Sequence, residues 1–354
     1  DSEPSMNPAD LSSQPSPWIN QPGPDFEIVI SSRVRLARNL EGYEFKPCLS
    51  AQRQNEILEI LTPALLSLDQ KLYYIDVDKI AAVERELLAE RYLISPAHVR
   101  GKGPRGVAIA EEENFSAMIN EEDHLRMQAY APGLQLKACL DRVNQIDDQI
   151  EKKVRFAFHP RFGYLTACPT NLGTGIRVSV MLHLPGLKMT GQIDKFFAAA
   201  RDCNLAVRGA FGEGSETVGD FYQLSNQVTL GVAEAEVVSN FTEKIVPKIV
   251  EYERAARQTL IEQSPYVVDD KIQRALGVLR NARLISSQEA LVLLSQVRLG
   301  VHMGRIFEIQ VSKINNLFFH LQPAHLQMRA GKSLDPDQRD SFRAQVIRKA
   351  LSPY

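Results

Sequence analysis

The sequence changes texture near residue 231, and this change constrains the fold more than any single motif. Residues 28–231 mix short strand-like runs, such as residues 107–110, with stretches that carry apolar residues at helical spacing. Such a mixture is typical of an α+β domain. After residue 233 the chain is dominated by Glu, Lys, Gln, Ala and Leu, and apolar residues recur every three or four positions. We therefore expect an α+β domain followed by an all-α one.

The length of 354 residues also favours two domains, because one hydrophobic core rarely serves a chain of this size. We place the larger domain at residues 26–255 and the helical one at residues 256–354. Residues 1–25 are rich in Pro, Ser, Asp and Asn and lack the apolar stretch of a signal peptide. This composition predicts a disordered leader.

The charge balance and the cysteines exclude several classes of protein. The 41 Lys and Arg residues nearly match the 43 Asp and Glu residues, which argues against a dominant nucleic-acid footprint. No apolar run approaches the roughly 20 residues that a membrane span needs. The absence of a CxxC pair argues against a zinc site or a disulfide framework and favours the reducing cytoplasm. The widely spaced cysteines are Cys48, Cys139, Cys168 and Cys203.

The chain lacks the common phosphate-binding motifs of nucleotide enzymes. Its only GxGxxG match, residues 101–106, precedes a strand-like run instead of joining a strand to a helix. It therefore cannot present a helix N-terminus to a pyrophosphate, and we interpret it as a flexible loop. A P-loop and the HRD and DFG motifs of protein kinases are also absent from the sequence. A bound phosphate must be held by other groups.

Arginines supply one alternative in residues 31–38, SSRVRLAR, which follow an apolar strand. If the extended conformation continues, Arg33 and Arg35 lie on the same face, and a guanidinium fork matches phosphate oxygens.

Residues 120–126, NEEDHLR, place three consecutive carboxylates after a strand. Such a cluster is costly unless a cation shares it, although a solvated acidic turn is the simpler alternative.

Two further segments combine turns with residues that carry chemistry. Residues 168–175, CPTNLGTG, form a turn-rich loop that leads into a strand where Arg177 interrupts apolar residues. Residues 208–214, RGAFGEG, add an arginine and a carboxylate in a glycine-rich loop that could close over a ligand. Taken alone, a cysteine is usually a packing residue, an arginine usually faces solvent, and such a loop is only a flexible turn.

Together the four segments resemble, in order and spacing, the signature motifs of the phosphagen kinases, which move phosphate between ATP and guanidino compounds. The resemblance covers about residues 27–231, and NEEDHLR and CPTNLGTG are its most specific motifs. It implies an α+β catalytic domain with an antiparallel sheet flanked by helices. It also implies ATP as a substrate, with Mg²⁺ bound through ATP and no dedicated protein cage for the metal.

By this resemblance, strand and loop residues would bind ATP, with the arginines holding its phosphates. The residues implied are Ser31, Ser32, Arg33, Val34, Arg35, His98, Arg126, Arg177, Val178, Ser179, Val180, Met181, Arg208, Gly209, Ala210, Phe211, Gly212 and Glu213. Phosphate transfer would then rest mainly on alignment and electrostatic stabilisation, and not on a covalent intermediate.

The resemblance also assigns roles to carboxylates and to the cysteine segment. Glu122 would be the principal carboxylate facing the substrate guanidinium, with Glu213 as its partner. Carboxylates are needed because a guanidinium has a pKa above about 12, so it is protonated and a poor nucleophile. The supporting carboxylates would be Glu121 and Asp123, for the metal and the local electrostatics, and the guanidino pocket would be lined by Cys168, Thr170 and Asn171.

Within this superfamily, the order of the regions resembles that of the bacterial protein-arginine kinases. Small-molecule phosphagen kinases carry a helical domain before the catalytic one, whereas here the catalytic motifs start almost at the N-terminus and the extra helices follow. Phe211 also occupies a position where small-molecule arginine kinases carry another phosphate-binding arginine. The resemblance implies phosphorylation of protein arginines, which marks proteins for Clp-type proteolysis and serves stress regulation.

The same resemblance implies a homodimer, a zinc-binding activator protein and a Clp ATPase as partners, with no membrane and no direct nucleic-acid binding.

Residues 339–344, RDSFRA, resemble the RDxxRA motif that this family uses as an allosteric phosphoarginine-binding site. A helix salt bridge between Asp340 and Arg343 is the alternative. Two rival functions stay open, a small-molecule guanidino kinase and a non-catalytic phosphoarginine-binding adaptor. The allosteric residues implied by the RDxxRA-like motif are Arg339, Asp340, Arg343 and Ala344.

Overall fold

The computed structural model describes residues 8–19, 21–209 and 218–352. Its strands are β1 (Val29–Arg38), β2 (Leu72–Asp76), β3 (Gly106–Ala110), β4 (Phe115–Ile119), β5 (Leu125–Pro132), β6 (Phe158–His159), β7 (Gly163–Tyr164), β8 (Ile176–His183), β9 (Leu205–Gly209) and β10 (Phe221–Asn226). Eight of them form one sheet in the order β2-β3-β4-β5-β1-β8-β10-β9, and β6 pairs with β7 in a separate hairpin. All neighbouring strands run antiparallel, which confirms the predicted sheet.

Helices flank the sheet and make up the region that follows it. The helices are α1 (Pro8–Leu11), α2 (Ala51–Leu66), α3 (Ala82–Glu90), α4 (Pro96–Arg100), α5 (Leu136–Glu151), α6 (Pro185–Met189), α7 (Ile193–Asp202), α8 (Glu234–Ser239), α9 (Val246–Gln263), α10 (Pro265–Asn281), α11 (Ser287–His302), α12 (Val311–His320), α13 (Pro323–Ala330) and α14 (Pro336–Leu351). The predicted all-α second region is confirmed. Within the described ranges, no helix combines the length and the apolar character needed to span a membrane.

The pleat of the central strand β1 divides its side chains between two faces. Val34 and Leu36 are fully buried and share the main hydrophobic core with Val143 of α5. Because side chains alternate along a strand, Arg33 and Arg35 lie on the opposite face. Their predicted common face is confirmed, and it is polar.

The helical region has its own hydrophobic core, but a buried arginine also fastens it to the sheet. Arg298 of α11 donates hydrogen bonds to the carbonyl oxygens of Phe26 (2.6 Å) and Glu27 (3.0 Å), just before β1, and to His183 Nδ1 (2.8 Å) at the end of β8. Burial, followed by the charge of Arg257, lowers the pKa of Arg298 to about 9. These bonds offset part of the cost of burying the guanidinium.

A second contact joins α11 to the start of β10. The Asp220 carboxylate accepts hydrogen bonds from Lys188 Nζ (2.6 Å) and from Gln296 Nε2 (3.3 Å) of α11. Gly219 adopts a left-handed conformation (φ 71°), and a Cβ at this position would lie 2.8 Å from the carbonyl oxygen of Leu291. A glycine is therefore required where the chain passes α11.

The prediction of a disordered leader is wrong for residues 8–19 and 21–25. Arg91 and Glu113 form a buried ion pair, and Arg91 Nη1 also donates to the carbonyl oxygens of Leu11 (2.9 Å) and Gln14 (3.0 Å). Ser16 Oγ donates to Glu113 (3.2 Å). Composition alone does not predict these hydrogen bonds, because their partner Arg91 lies about 80 residues further along the chain.

Candidate functional site

Arginines from neighbouring strands converge on one surface because of the sheet register. In an antiparallel pair, residues directly opposite each other point to the same face. Arg35 lies opposite Arg177 of β8, and Arg126 of β5 lies opposite Ala37. Ala37 is two positions from Arg35, so all of these residues share the face of Arg33.

Arg208 reaches the same surface from the edge strand β9. It lies opposite Gln223 of β10, which lies opposite Met181 of β8. Met181 in turn lies opposite Ser31 of β1, so the common face extends across four strands. We call this surface the arginine face, and its arginines are Arg33, Arg35, Arg126, Arg177 and Arg208.

Arg35 has the least compensation for its charge within the arginine face. Its Nε is buried and has no hydrogen-bond partner among the described residues. Burial, followed by the charges of Arg33, Arg126 and Arg177, holds the pKa of Arg35 well below its ordinary value. Arg33 donates a hydrogen bond to the neutral hydroxyl of Ser179 (3.1 Å). Crowded like charges of this kind favour an anion with several oxygen atoms, such as a polyphosphate.

The acidic loop, residues 120–124, places its three carboxylates in different environments. Glu121 is 4% exposed and accepts hydrogen bonds from Ser95 Oγ and from Arg126 Nη1 (2.6 Å). Burial acts to raise the pKa of Glu121, but the charge of Arg126 and these hydrogen bonds outweigh it and lower the pKa to about 2. The side chain of Glu122 is 40% exposed, and its carboxylate lies 3.8 Å from Arg126. Of the three carboxylates, Glu122 is the one open to solvent beside the arginine face.

Asp123 ties the acidic loop to the cysteine loop, residues 165–175. Its Oδ1 accepts hydrogen bonds from Ala167 N and from Asn39 Nδ2, both at 2.7 Å. The side chain is fully buried, and burial raises its pKa. Asp123 and Glu121 are thus enclosed by protein, away from the open surface where a metal ion on ATP would meet them.

The cysteine loop carries the residues predicted to form the guanidino pocket. Cys168 is half-buried, and its Sγ lies 3.0 Å from Thr170 Oγ1. Asn171 follows in the same 3₁₀ turn and is buried. Thr229 Oγ1 holds the loop from its other side by donating to the carbonyl oxygen of Leu172 (2.7 Å). The acidic and cysteine loops are therefore fixed next to each other at one end of the sheet.

An aromatic cavity that is partly open to solvent adjoins Arg33. Tyr92 and Tyr130 contribute to its wall, and the Tyr130 hydroxyl donates to the carbonyl oxygen of Tyr92 (2.7 Å). Leu291 of α11 and Phe318 of α12 line it from the helical region. Flat aromatic walls beside an anion-binding surface suit the base of a nucleotide. Four residues from the sequence prediction line the cavity, namely Ser31, Arg33, Ser179 and Met181.

The aromatic residues of this cavity were missed by sequence reasoning. Tyr92 lies in a turn after α3 with a positive φ of 61°, and no local sequence motif predicts this conformation. Phe318 reaches the cavity only because α12 packs on the sheet, where its ring meets the edge of Phe221 at a centroid distance of 4.6 Å. The pairing of residues so distant in sequence leaves no signal in a single chain.

Several residues predicted to bind ATP lie elsewhere. His98 is fully buried on α4, where its Nε2 lies 3.2 Å from the carbonyl oxygen of Gly106, and burial lowers its pKa to about 4. The side chain of His98 is thus enclosed in this conformation, and a nucleotide contact from it stays a prediction. Four strand residues offer only their backbone, since their side chains are buried on the covered face of the sheet: Ser32, Val34, Val178 and Val180. Gly209 ends β9, whereas the described residues exclude Ala210, Phe211, Gly212 and Glu213.

The RDxxRA-like segment lies on α14. Arg343 is 2% exposed; its Nε donates to the carbonyl oxygen of Leu321 (2.9 Å), and its Nη1 donates to Asp340. The predicted grip of Arg343 on a phosphate is thus not available in this conformation, because the side chain is enclosed by helix packing. Arg339 is half-buried and donates to the carbonyl oxygen of Leu334 (2.7 Å). Ala344 is buried.

Among the described residues, no group of three or more His, Cys, Asp and Glu side chains is placed to hold a metal ion. The arrangement instead combines a cationic surface, one exposed carboxylate and a half-buried thiol. Such a set can align an anionic phosphoryl donor with a cationic acceptor.

Comparison with known families places two matches along the chain. Residues 55–256 match the model of the ATP:guanido phosphotransferase C-terminal catalytic domain, and residues 265–354 match that of the protein-arginine kinase McsB C-terminal domain. The protein-arginine kinase of Halothermothrix orenii is 44% identical over 338 residues, covering 95% of this chain and 97% of that one. That of Geobacillus kaustophilus is 42% identical over 341 residues, covering 95% and 93%.

Two solved structures with a related fold are a lombricine kinase and a taurocyamine kinase. A lombricine kinase matches with 28% identity and a TM-score of 0.58, and the match covers 72% of each chain. The duplicated taurocyamine kinase of Schistosoma mansoni matches with 28% identity and a TM-score of 0.59. That match covers 71% of this chain but only 36% of the taurocyamine kinase.

Proposed function

Because the chain belongs to the ATP:guanido phosphotransferase family and, within it, to the protein-arginine kinases, we propose that the arginine face binds the phosphates of ATP while Glu122 faces the substrate arginine. The enzyme uses ATP to phosphorylate arginine side chains of proteins. The observation that carries the assignment of residues is the crowding of like charges around the buried Nε of Arg35, in a surface whose Arg126 lies 3.8 Å from the 40% exposed carboxylate of Glu122.

The arginine face fits a triphosphate because like charges are crowded within it. The buried Nε of Arg35 has no hydrogen-bond partner among the residues that the structure describes, and three other arginines crowd it. Phosphate oxygens would accept hydrogen bonds from these guanidinium groups and would relieve their mutual repulsion. The aromatic cavity next to Arg33 would hold the base, with Tyr92 and Phe318 as its flat walls.

Glu122 would orient the guanidinium of the substrate and accept its proton. In the reaction, a bond forms between a guanidino nitrogen and the γ-phosphorus of ATP, and the bond from that phosphorus to the β–γ bridging oxygen breaks, so that ADP leaves. The nitrogen loses one proton, which passes to the carboxylate. Glu213 is the proposed second carboxylate, and Mg²⁺ bound through ATP would neutralise charge on the phosphates.

We assign positioning roles to the two enclosed carboxylates. Glu121 holds Arg126 through a 2.6 Å hydrogen bond, and Asp123 holds the cysteine loop through Ala167. The proposed guanidino pocket is formed by Cys168, Thr170 and Asn171. Because each neighbouring loop is fixed by buried hydrogen bonds, the donor and the acceptor would be aligned before reaction.

Membership of this family also supports wider proposals. The enzyme would mark proteins for Clp-type proteolysis and act in stress regulation in the cytoplasm, together with a zinc-binding activator protein and a Clp ATPase. It would form a homodimer and sense phosphoarginine through Arg339 and Asp340. The proposed domain limits remain residues 26–255 for catalysis and 256–354 for the helical domain.

The test compares a protein with free L-arginine as the phosphoryl acceptor. The purified chain is incubated with Mg-ATP and either casein or L-arginine, and acid-labile phosphoarginine is measured by mass spectrometry. We expect phosphoarginine on casein and none on the free amino acid. Phosphorylation of free arginine alone would instead support a small-molecule guanidino kinase.

Glu122→Gln supplies the matched control for the carboxylate. This variant keeps the size and polarity of the side chain but cannot accept the proton, so transfer should fall at least about 100-fold. Binding of ATP, followed by calorimetry, should persist because the arginine face is unchanged. Near-normal transfer by Glu122→Gln would remove Glu122 from the proposed role.

A further inference from the structure

Exposed aromatic residues cluster on the β6-β7 hairpin. Phe158 is 59% exposed and Phe162 is 38% exposed. Their rings are held in place by neighbours, since Phe158 meets the edge of Tyr164 at 5.4 Å and Phe162 stacks on His159 at 4.9 Å between ring centroids. Apolar side chains that are ordered but exposed in this way often mark an interaction surface.

A second exposed apolar segment lies next to the hairpin. Val228 is 48% exposed and Leu230 is 49% exposed, both in the connection between β10 and α8. The hairpin and this connection line one open groove of about 630 Å³, which includes Phe158, Phe162 and Leu230. Arg161 and Glu234 also line it, so both signs of charge are present between the apolar side chains. We call this surface the aromatic groove.

Hydrogen bonds fasten both walls of the aromatic groove to the cysteine loop. Tyr164 N donates to the carbonyl oxygen of Gly173 (2.7 Å), and Gly173 N donates back to the carbonyl oxygen of Tyr164 (3.3 Å). On the other wall, Thr229 Oγ1 donates to the carbonyl oxygen of Thr170 (3.0 Å). The groove is therefore built on the same loop as the proposed guanidino pocket and keeps a fixed position relative to it.

We propose that the aromatic groove docks apolar side chains of an extended substrate polypeptide near its target arginine, an inference that rests on the proposed function. Ala167, which bonds to Asp123 beside Glu122, is three residues from Tyr164, and three extended residues span at most about 11 Å. A bound polypeptide advances about 3.3 Å per residue, so residues a few positions from the arginine reach the groove. Unfolded chains expose such apolar residues, whereas folded proteins bury most of them.

The groove thereby distinguishes protein substrates by their conformation. A capped arginine or a short peptide would use the guanidino pocket alone. An unfolded protein would add contacts between its apolar side chains and the rings of Phe158 and Phe162. These rings are already held by their neighbours, so docking would cost little side-chain entropy.

The experiment compares a double variant, Phe158→Ser with Phe162→Ser, with the control Phe307→Ser. Phe307 is 87% exposed between α11 and α12, so it matches the lost surface at a distance from the groove. Binding of fluorescein-labelled casein is measured by anisotropy without ATP, which needs no catalysis. Transfer is measured on casein and on N-acetyl-L-arginine amide. Circular dichroism melting checks that both variants fold.

In the double variant we expect Kd and KM for casein to rise roughly tenfold, the size expected when two aromatic rings lose part of their burial. The kcat on casein and the kcat/KM on the amide should stay unchanged, and Phe307→Ser should behave as wild type. Casein affinity equal to that of wild type would overturn the proposal. An equal loss on both substrates would overturn it too, since the hairpin would then shape the guanidino pocket.

Two other outcomes are also decisive. If sedimentation shows that only the double variant loses self-association, the groove contacts a second copy of the chain and the proposal is wrong. Failure of the proposed function would show differently, as no transfer by wild type to either substrate. In that case the anisotropy comparison alone still supports or overturns docking.

Discussion

Replacing Glu121 with Gln tests whether an ion pair holds Arg126 in the arginine face. The pKa of Glu121 falls from its ordinary 4.5 to about 2 despite burial, because Arg126 and hydrogen bonds favour the carboxylate. This difference corresponds to roughly 3 kcal/mol of folding free energy. Because the folded pKa is the lower one, this stabilisation is complete above pH 4.5 and is lost as the pH falls towards 2. Roughly 1 kcal/mol should already be lost between pH 6 and pH 3.5.

The assay is urea unfolding of wild type and Glu121→Gln at several pH values between 6 and 3.5. The difference in unfolding free energy between the two proteins isolates Glu121 from the other groups that titrate in this range. It should shrink by roughly 1 kcal/mol across the range. The control is Glu59→Gln, which removes an exposed carboxylate from α2. A difference that does not change with pH would refute the ion-pair reasoning.

Four other substitutions test the rest of the site and the RDxxRA-like segment. Arg35→Met should stabilise the nucleotide-free protein by about 1 kcal/mol, because it removes a buried charge crowded by like charges. The same substitution should abolish the rise in melting temperature on adding ATP. Calorimetric scans measure both effects. Phe318→Ala should raise KM for ATP several-fold without changing kcat, which steady-state kinetics at saturating casein would show. Arg343→Met should lower the unfolding free energy by about 2 kcal/mol by leaving buried carbonyls unpaired. Arg339→Ala should lower the unfolding free energy by about 1 kcal/mol and should also weaken phosphoarginine binding in titration calorimetry. Unchanged binding would contradict the proposed sensing role of Arg339.

The arrangement of the arginine face could be predicted only in part from the sequence. Alternation along one strand places Arg33 and Arg35 together, because the period of a strand is fixed by its backbone. Alternation alone gives no indication that Arg177 lies directly opposite Arg35, since register depends on pairing between distant segments. The family resemblance supplied that association without supplying its geometry.

The differences between the sequence prediction and the structure have a common physical origin in burial. His98 and Arg343 were predicted to contact a nucleotide and a phosphoarginine, but both side chains are enclosed by packing in this structure. Glu121, Glu122 and Asp123 are consecutive and alike in sequence, yet the loop conformation buries two of them and exposes the third. Solvent exposure of a single side chain is a tertiary property, so composition and spacing do not predict it.

Arg298 makes the helical region an unsuitable module for exchange. It belongs to α11, but its hydrogen bonds end on the backbone of residues 26–27 and on His183. A chimera that takes its helices from a relative must therefore inherit His183 and Asp220 from the same parent. The boundary that matters for recombination is thus set by contacts between the helices and the sheet, and not by the order of the chain.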